Sequence, residues 1–190
     1  MFRYKFQCGF LSILYGSGSK PLLIWRSSSQ NGFVRRITDE HLNSLVMDLG
    51  GANPSTTYIT CPADPRDVLA VHLPFLTLLV KNMKKLFLFE IEVLDSTNVR
   101  RRFKASNFQS YTDLNFFSCT MPMCMEEGWN QVQFNLADFV QKAYKTRYVE
   151  TLRVTIHANC RIRRVFFTDR VYAENETPAG FRLFRPTKDG

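Results

Sequence analysis

Leu86-Phe87-Leu88-Phe89-Glu90-Ile91-Glu92-Val93-Leu94, Asp95-Ser96-Thr97-Asn98 and Val99-Arg100-Arg101-Arg102-Phe103-Lys104-Ala105 form one continuous stretch, and its reading decides the fold. Alternation puts Phe87, Phe89, Ile91 and Val93 on one side of a strand, with Glu90 and Glu92 on the other. The second run alternates too. Val99, Arg101, Phe103 and Ala105 share one side, and Arg100, Arg102 and Lys104 the other. A three-residue loop of Ser96, Thr97 and Asn98 pairs Asp95 with Val99, and Asn98 takes the left-handed position such loops need. This register sets Glu92 against Arg102, Glu90 against Lys104 and Ile91 against Phe103. A two-residue loop would put Val93 against Arg100 and Glu90 against Phe103, mixing the faces. The stretch therefore predicts a hairpin with an apolar inner face and a charged outer face. Cross-strand charge pairs contribute only about 0.2–1 kcal/mol each. Arg100 faces Leu94 and Arg101 faces Val93, so this reading leaves spare positive charge on the hairpin.

Upstream, residues 1–20 read as an arm or first strand closed by Gly16-Ser17-Gly18-Ser19. Leu22–Trp25, Phe33–Ile37, Ser44–Leu49, Thr56–Cys61, Val68–Leu73 and Phe75–Val80 read as strands, with loops at Arg26–Ser29 and Asn31-Gly32. Downstream, Phe116–Met121 and Trp129–Phe134 read as strands. The period then changes from 2 to 3.6: Leu136, Phe139, Val140, Ala143 and Tyr144 share one helical face. Asn135 is the expected N-cap of this helix over about 136–147, with Asp138 favouring the dipole. Thr151–His157 and Arg161–Thr168 read as partner strands. A β-bulge at Arg163-Arg164 returns Val165 and Phe167 to the inner face. Many short strands with one helix predict a mainly β fold, an antiparallel β-sandwich or jelly roll. The expected organisation is a single sandwich domain over 1–178 with an N-terminal arm, then a loosely held tail over 179–190.

The 190 residues suit one domain, and 45% hydrophobic residues suffice for a core. Phe occurs 17 times, which favours strands over helices. The net charge of +8 points to an acidic partner, although solubility alone can account for such a charge. The five cysteines are odd in number, and no secretory signal is read before them, so free thiols in a reducing compartment are expected. No run is long enough to span a bilayer, and Leu73–Val80 is broken by Pro74.

Catalytic and metal signals are weak. Cys119, Cys124, His157 and Cys160 can be imagined as ligands, but the C-x4-C and H-x2-C spacings are loose for zinc. Buried thiols packed as small hydrophobes explain them as well. The glycine pairs lack the Lys-Ser/Thr of a phosphate loop. No cofactor is expected. The basic clusters carry more signal. Arg100, Arg102 and Lys104 on the hairpin, with Arg161, Arg163 and Arg164 near the end of the chain, are candidate partner-binding residues. A solvated, locally paired face is the alternative. A sugar-binding module would need a row of exposed aromatics on one sheet face. Nucleic-acid binding would need aromatics interleaved with outward cations. Most aromatics alternate inward, which disfavours the first, and Phe103 faces the core side, which disfavours the second.

Several longer stretches go beyond pattern. They are Gln7-Cys8-Gly9-Phe10-Leu11-Ser12-Ile13-Leu14-Tyr15, Gly18–Leu22, Ser55–Pro65, Asn98–Phe103, Gly128–Leu136, Glu150–Val154 and Ile156–Arg164. Together they resemble the cilia- and flagella-associated protein twenty family over residues 1 to about 185. The resemblance implies a non-enzymatic β-sandwich of the cytoskeleton. It would sit in the axoneme of cilia and flagella and at basal bodies and centrioles. Its implied place is the inner junction of the doublet microtubule, with tubulin and the parkin co-regulated protein as partners, and without nucleic acid or membrane. Arg26-Ser27, Asp113, Asn115 and Cys124 depart from the family pattern, as in a diverged paralog.

Overall fold

The computed structural model describes residues 1–183. Thirteen strands occur in chain order: β1 Phe10–Tyr15, β2 Arg26–Ser29, β3 Gly32–Asp39, β4 Ser44–Gly51, β5 Thr57–Cys61, β6 Phe75–Asn82, β7 Leu88–Asp95, β8 Arg100–Ser106, β9 Asp113–Leu114, β10 Ser118–Pro122, β11 Gly128–Asn135, β12 Tyr148–His157 and β13 Cys160–Thr168. Among the described residues one α-helix, α1 (Leu136–Tyr144), follows β11 directly. The strands form two sheets. One runs β11-β6-β13-β4-β3, with β1 also paired to β13. The other runs β2-β5-β12-β7-β8-β10-β9. The two sheets face one another as a sandwich. Phe89 of one and Phe134 of the other stack at 5.3 Å between ring centroids, within 6° of parallel.

The β7–β8 hairpin has the expected register, with Glu92 opposite Arg102, Ile91 opposite Phe103 and Glu90 opposite Lys104. The Asp95 amide donates to the Val99 carbonyl at 3.1 Å, which closes the three-residue loop. Asn98 adopts φ 62°, the left-handed conformation. Phe87, Phe89, Ile91, Val93, Phe103 and Ala105 are all buried. The bulge in β13 falls between Ile162 and Arg164, and Val165 and Phe167 point into the core. Asn135 caps α1, its side-chain oxygen accepting from the Asp138 amide at 3.1 Å.

Other expectations need correction. Leu22–Trp25 is a series of turns, and the strand is the polar Arg26–Ser29 beside it. Its partner β5 supplies the ladder, so an edge strand forms without an apolar face of its own. Val68–Leu73 makes one isolated bridge, Val71 to Thr151, although Val71 and Leu73 are buried and His72 is exposed as alternation requires. The helix stops at Tyr144 because Lys145 turns left-handed at φ 58°. β12 and β13 are not partners. β12 pairs with β5 and β7, while β13 pairs with β6, β4 and β1. Ala158-Asn159 links them across the sandwich. Finally, β10 runs parallel to β8, so that sheet is mixed.

Beyond β13 the chain forms short 3-10 turns at Glu174–Glu176 and Ala179–Phe181. Of the expected tail over 179–190, residues 184–190 lie outside the described residues.

Candidate functional site

The outward row of β8 carries Arg100, Arg102 and Lys104 because a strand turns every second side chain to the same face. Arg100 donates to Glu92 at 3.0 Å, and Arg102 lies 3.5 Å from the other oxygen of that carboxylate. Two guanidinium groups thus share one acid. Lys104 sits 3.7 Å from Glu90, which also contacts His157 Nε2 at 2.9 Å. Burial alone would raise the Glu90 pKa, but His157, Lys104 and Arg102 outweigh it and bring it below its ordinary value. Three cations therefore face two carboxylates, each already engaged. The side chains of Arg100 and Arg102 are more than half exposed. A groove of about 510 Å³ opens between this row and Phe117-Ser118.

Arg101, expected as spare charge, is instead fully engaged. Its side chain is buried, and Nε donates to Asp95 at 3.0 Å. The guanidinium lies over Tyr144 at 4.1 Å and over Phe116 at 4.6 Å, and it also donates to the Phe116 carbonyl. Asp95 further accepts from the Thr97 and Val99 amides and from the Thr97 and Thr146 hydroxyls, at 2.7–3.0 Å. Burial would raise the Asp95 pKa, yet this ring of donors holds it well below the usual carboxylate range. The Ser96 amide donates to the Arg147 carbonyl at 2.8 Å, and the Arg147 amide to Ser96 Oγ at 3.0 Å. The hairpin tip that carries the cationic row is thereby fastened to the segment Thr146-Arg147 that follows α1.

The second candidate set lies in the opposite sheet. Arg161 donates to Asp39 at 2.9 Å and approaches Asp48 at 3.5 Å. Asp39 is fully buried and also receives Lys81 at 3.1 Å, Trp129 Nε1 at 3.1 Å and two backbone amides. There, too, burial pulls the pKa up and the donors, Arg161 foremost, press it far down. Arg163 is buried, with Nη1 donating to the Leu183 carbonyl at 2.6 Å. Arg164 lies between Tyr15 at 4.0 Å and Phe181 at 3.8 Å and donates to Ser12 and Gly180. These three arginines serve the inside of the molecule. The structure brings together Arg100, Arg102 and Lys104, and sets Arg161, Arg163 and Arg164 apart from them.

Sequence reading missed the far wall of the groove. Phe117 and Ser118 reach it because β10 lies parallel to β8, with Ser118 opposite Arg102 and Thr120 opposite Lys104. The loop before β10 also exposes Phe108, Tyr111, Leu114 and Phe116 by more than half. That run of unburied apolar side chains, most of them aromatic, was the available signal. His157 has both ring nitrogens on oxygen acceptors, the Pro54 carbonyl at 2.8 Å and Glu90. Among the described residues, no group of three or more His, Cys, Asp or Glu is placed to hold a metal ion, and no helix is long and apolar enough to cross a membrane.

Comparison with known proteins bears on identity. The CFA20 domain matches residues 1–185. The chain is 59% identical over 186 residues to "Cilia- and flagella-associated protein 20" of Chlamydomonas reinhardtii, covering 98% of each chain. It is equally identical to the Paramecium tetraurelia protein of that name, covering 98% of this chain and 97% of that one. The Caenorhabditis elegans protein is 57% identical over 188 residues, covering 99% and 93%. Among solved structures, a family 11 carbohydrate-binding module of a Clostridium thermocellum cellulase superposes with a TM-score of 0.47 at 9% identity, over 89% of this chain and 99% of that one. A xylan-binding CBM 22 domain gives 0.43 at 8%, over 86% and 98%. These distant likenesses carry no functional argument. Identity above half along nearly the full length of three relatives does: the chain belongs to the CFA20 domain family.

Proposed function

We propose that this chain is a non-enzymatic structural component of the cilium and flagellum, a microtubule inner protein that helps close the inner junction of the axonemal doublet. The observation carrying this reading is its 59% identity, across 98% of both chains, to a protein named as cilia- and flagella-associated. In this reading the partners are the tubulin lattice and the parkin co-regulated protein, and basal bodies and centrioles are further locations. A packed double sheet supplies stiffness. The exposed cations of β8 steer it onto acidic tubulin, and burial of a broad interface supplies most of the affinity. Co-sedimentation of the purified chain with microtubules tests the lattice contact. Reversing Arg100, Arg102 and Lys104 together to Glu is expected to reduce the pelleted fraction, and binding unchanged at moderate salt would remove this row as the grip. Microscopy of the tagged chain in ciliated cells tests the location, and absence from axonemes would sink the reading as a whole.

A further inference from the structure

The β8 groove has a geometry more specific than a basic patch. Arg100, Arg102 and Lys104 recur at every second residue, so their stems stand about 6.7 Å apart along the strand. Glu92 and Glu90 hold them from the β7 side only. On the β10 side the neighbours in register are small hydroxyls, Ser118 beside Arg102 and Thr120 beside Lys104. Ser118 lines the groove and leaves it shallow, with hydrogen-bonding capacity, and the acid in register on that side is Asp113 of β9, opposite Thr120 at the Lys104 end. Phe117, about two-thirds exposed, stands at one end, and its backbone carbonyl accepts from the Arg102 amide at 2.8 Å. An extended polypeptide repeats its side chains at the same spacing as β8, since alternate residues of any strand share a face.

We infer that this trough holds an extended acidic peptide segment whose carboxylates fall on alternate residues, with an apolar side chain at one end against Phe117. Charge complementarity names the occupant. The three cations outnumber the two carboxylates that β7 holds against them, and at the Arg102 end the in-register neighbour is Ser118, so the guanidinium groups there keep donors for carboxylates. The inference rests on the reading that this face docks an acidic partner, and narrows it from a wall to a strand.

Fluorescence anisotropy with synthetic peptides tests it. One labelled peptide alternates Glu with Ser and ends in Phe. A second has the same composition with all Glu in one block, and a third replaces Glu with Gln. The alternating peptide is expected to bind about tenfold more tightly than the blocked one, and to weaken as salt rises. Arg102→Glu should abolish the preference while its thermal melt stays close to wild type, because the side chain is exposed. Ser118→Trp, which fills the groove at a lining residue without altering charge, should weaken the alternating peptide alone. Equal binding of the alternating and blocked peptides, or no binding of either, overturns the inference. Microtubule co-sedimentation of the same protein separates the two claims. Pelleting without peptide preference refutes the trough and spares the docking reading, whereas failure to pellet refutes the docking reading.

Discussion

Asp95→Ala is expected to destabilise the protein far more than loss of a surface ion pair. Asp95 is about 1% exposed and accepts from five donors at the hairpin tip. Arg101, its charged partner, is about 5% exposed. Removing the acid leaves that guanidinium buried with aromatic faces and one carbonyl for company. Breaking a buried pair from one side costs about 3–5 kcal/mol, which is a large part of the roughly 5–15 kcal/mol that holds a domain together. At about 2–4 °C per kcal/mol for a chain of this size, the melting temperature should fall by about 10 °C. Urea unfolding followed by circular dichroism measures this directly, and an unchanged m-value would show that the same surface is exposed. Asp95→Ala with Arg101→Met should recover about 2 kcal/mol, since the stranded charge is gone. The sign of the pH dependence follows from the lowered pKa. A carboxyl depressed in the folded state stabilises above its unfolded pKa of about 3.9, and that stability is lost as pH falls through the folded value. The gap between wild type and Asp95→Ala should therefore narrow as pH drops below about 4. A loss under about 1 kcal/mol at pH 7 would refute the reasoning, because it would mean that Arg101 finds water or another partner.

Three further outcomes follow from local geometry. Asn98→Ala should cost about 1 kcal/mol at a left-handed position, and Asn98→Gly much less, measured by the same urea titration. Asn135→Ala removes the cap of α1 and should cost about 1 kcal/mol, with exchange protection lost first in the amides following residue 135. Phe89→Ala opens a hole beneath Phe134 and should cost about 3–5 kcal/mol, or leave the protein insoluble on expression.

The hairpin was legible in the sequence because three constraints agree on one register: side-chain alternation, opposite charges and a residue suited to left-handed φ. The β13 bulge was legible because only one inserted residue returns Val165 and Phe167 to the core. The helix start was legible from its cap. The helix end was not, because Lys145 carries no signal of the left-handed turn it makes. The separation of β12 from β13 was illegible for a different reason. Two strands joined by two residues satisfy every local rule for a hairpin, and only the demand for a second sheet sends β13 across the core. Candidate site residues divide along the same line. Arg100, Arg102 and Lys104 stand outward because their neighbours Arg101 and Phe103 are held inside. Arg163 and Arg164 read as the same kind of cluster, yet the docked segment through Leu183 buries Arg163 and partly covers Arg164. Arg101 was misread because its acid, Asp95, lies diagonally across the turn instead of opposite.

β13 pairs with β1, β4 and β6, strands scattered over the first half of the chain, and it is the last strand among the described residues. On the ribosome its partners emerge long before it. Until Cys160–Thr168 clears the exit tunnel, β1 has no ladder, and the β3–β4 hairpin has nothing joining it to β6 and β11. The nascent chain must hold several apolar strand edges open during most of its synthesis, the condition under which chains aggregate or engage chaperones. A premature stop anywhere before residue 160 would release a product missing the strand that joins its sheet, however much of the sequence had already been made.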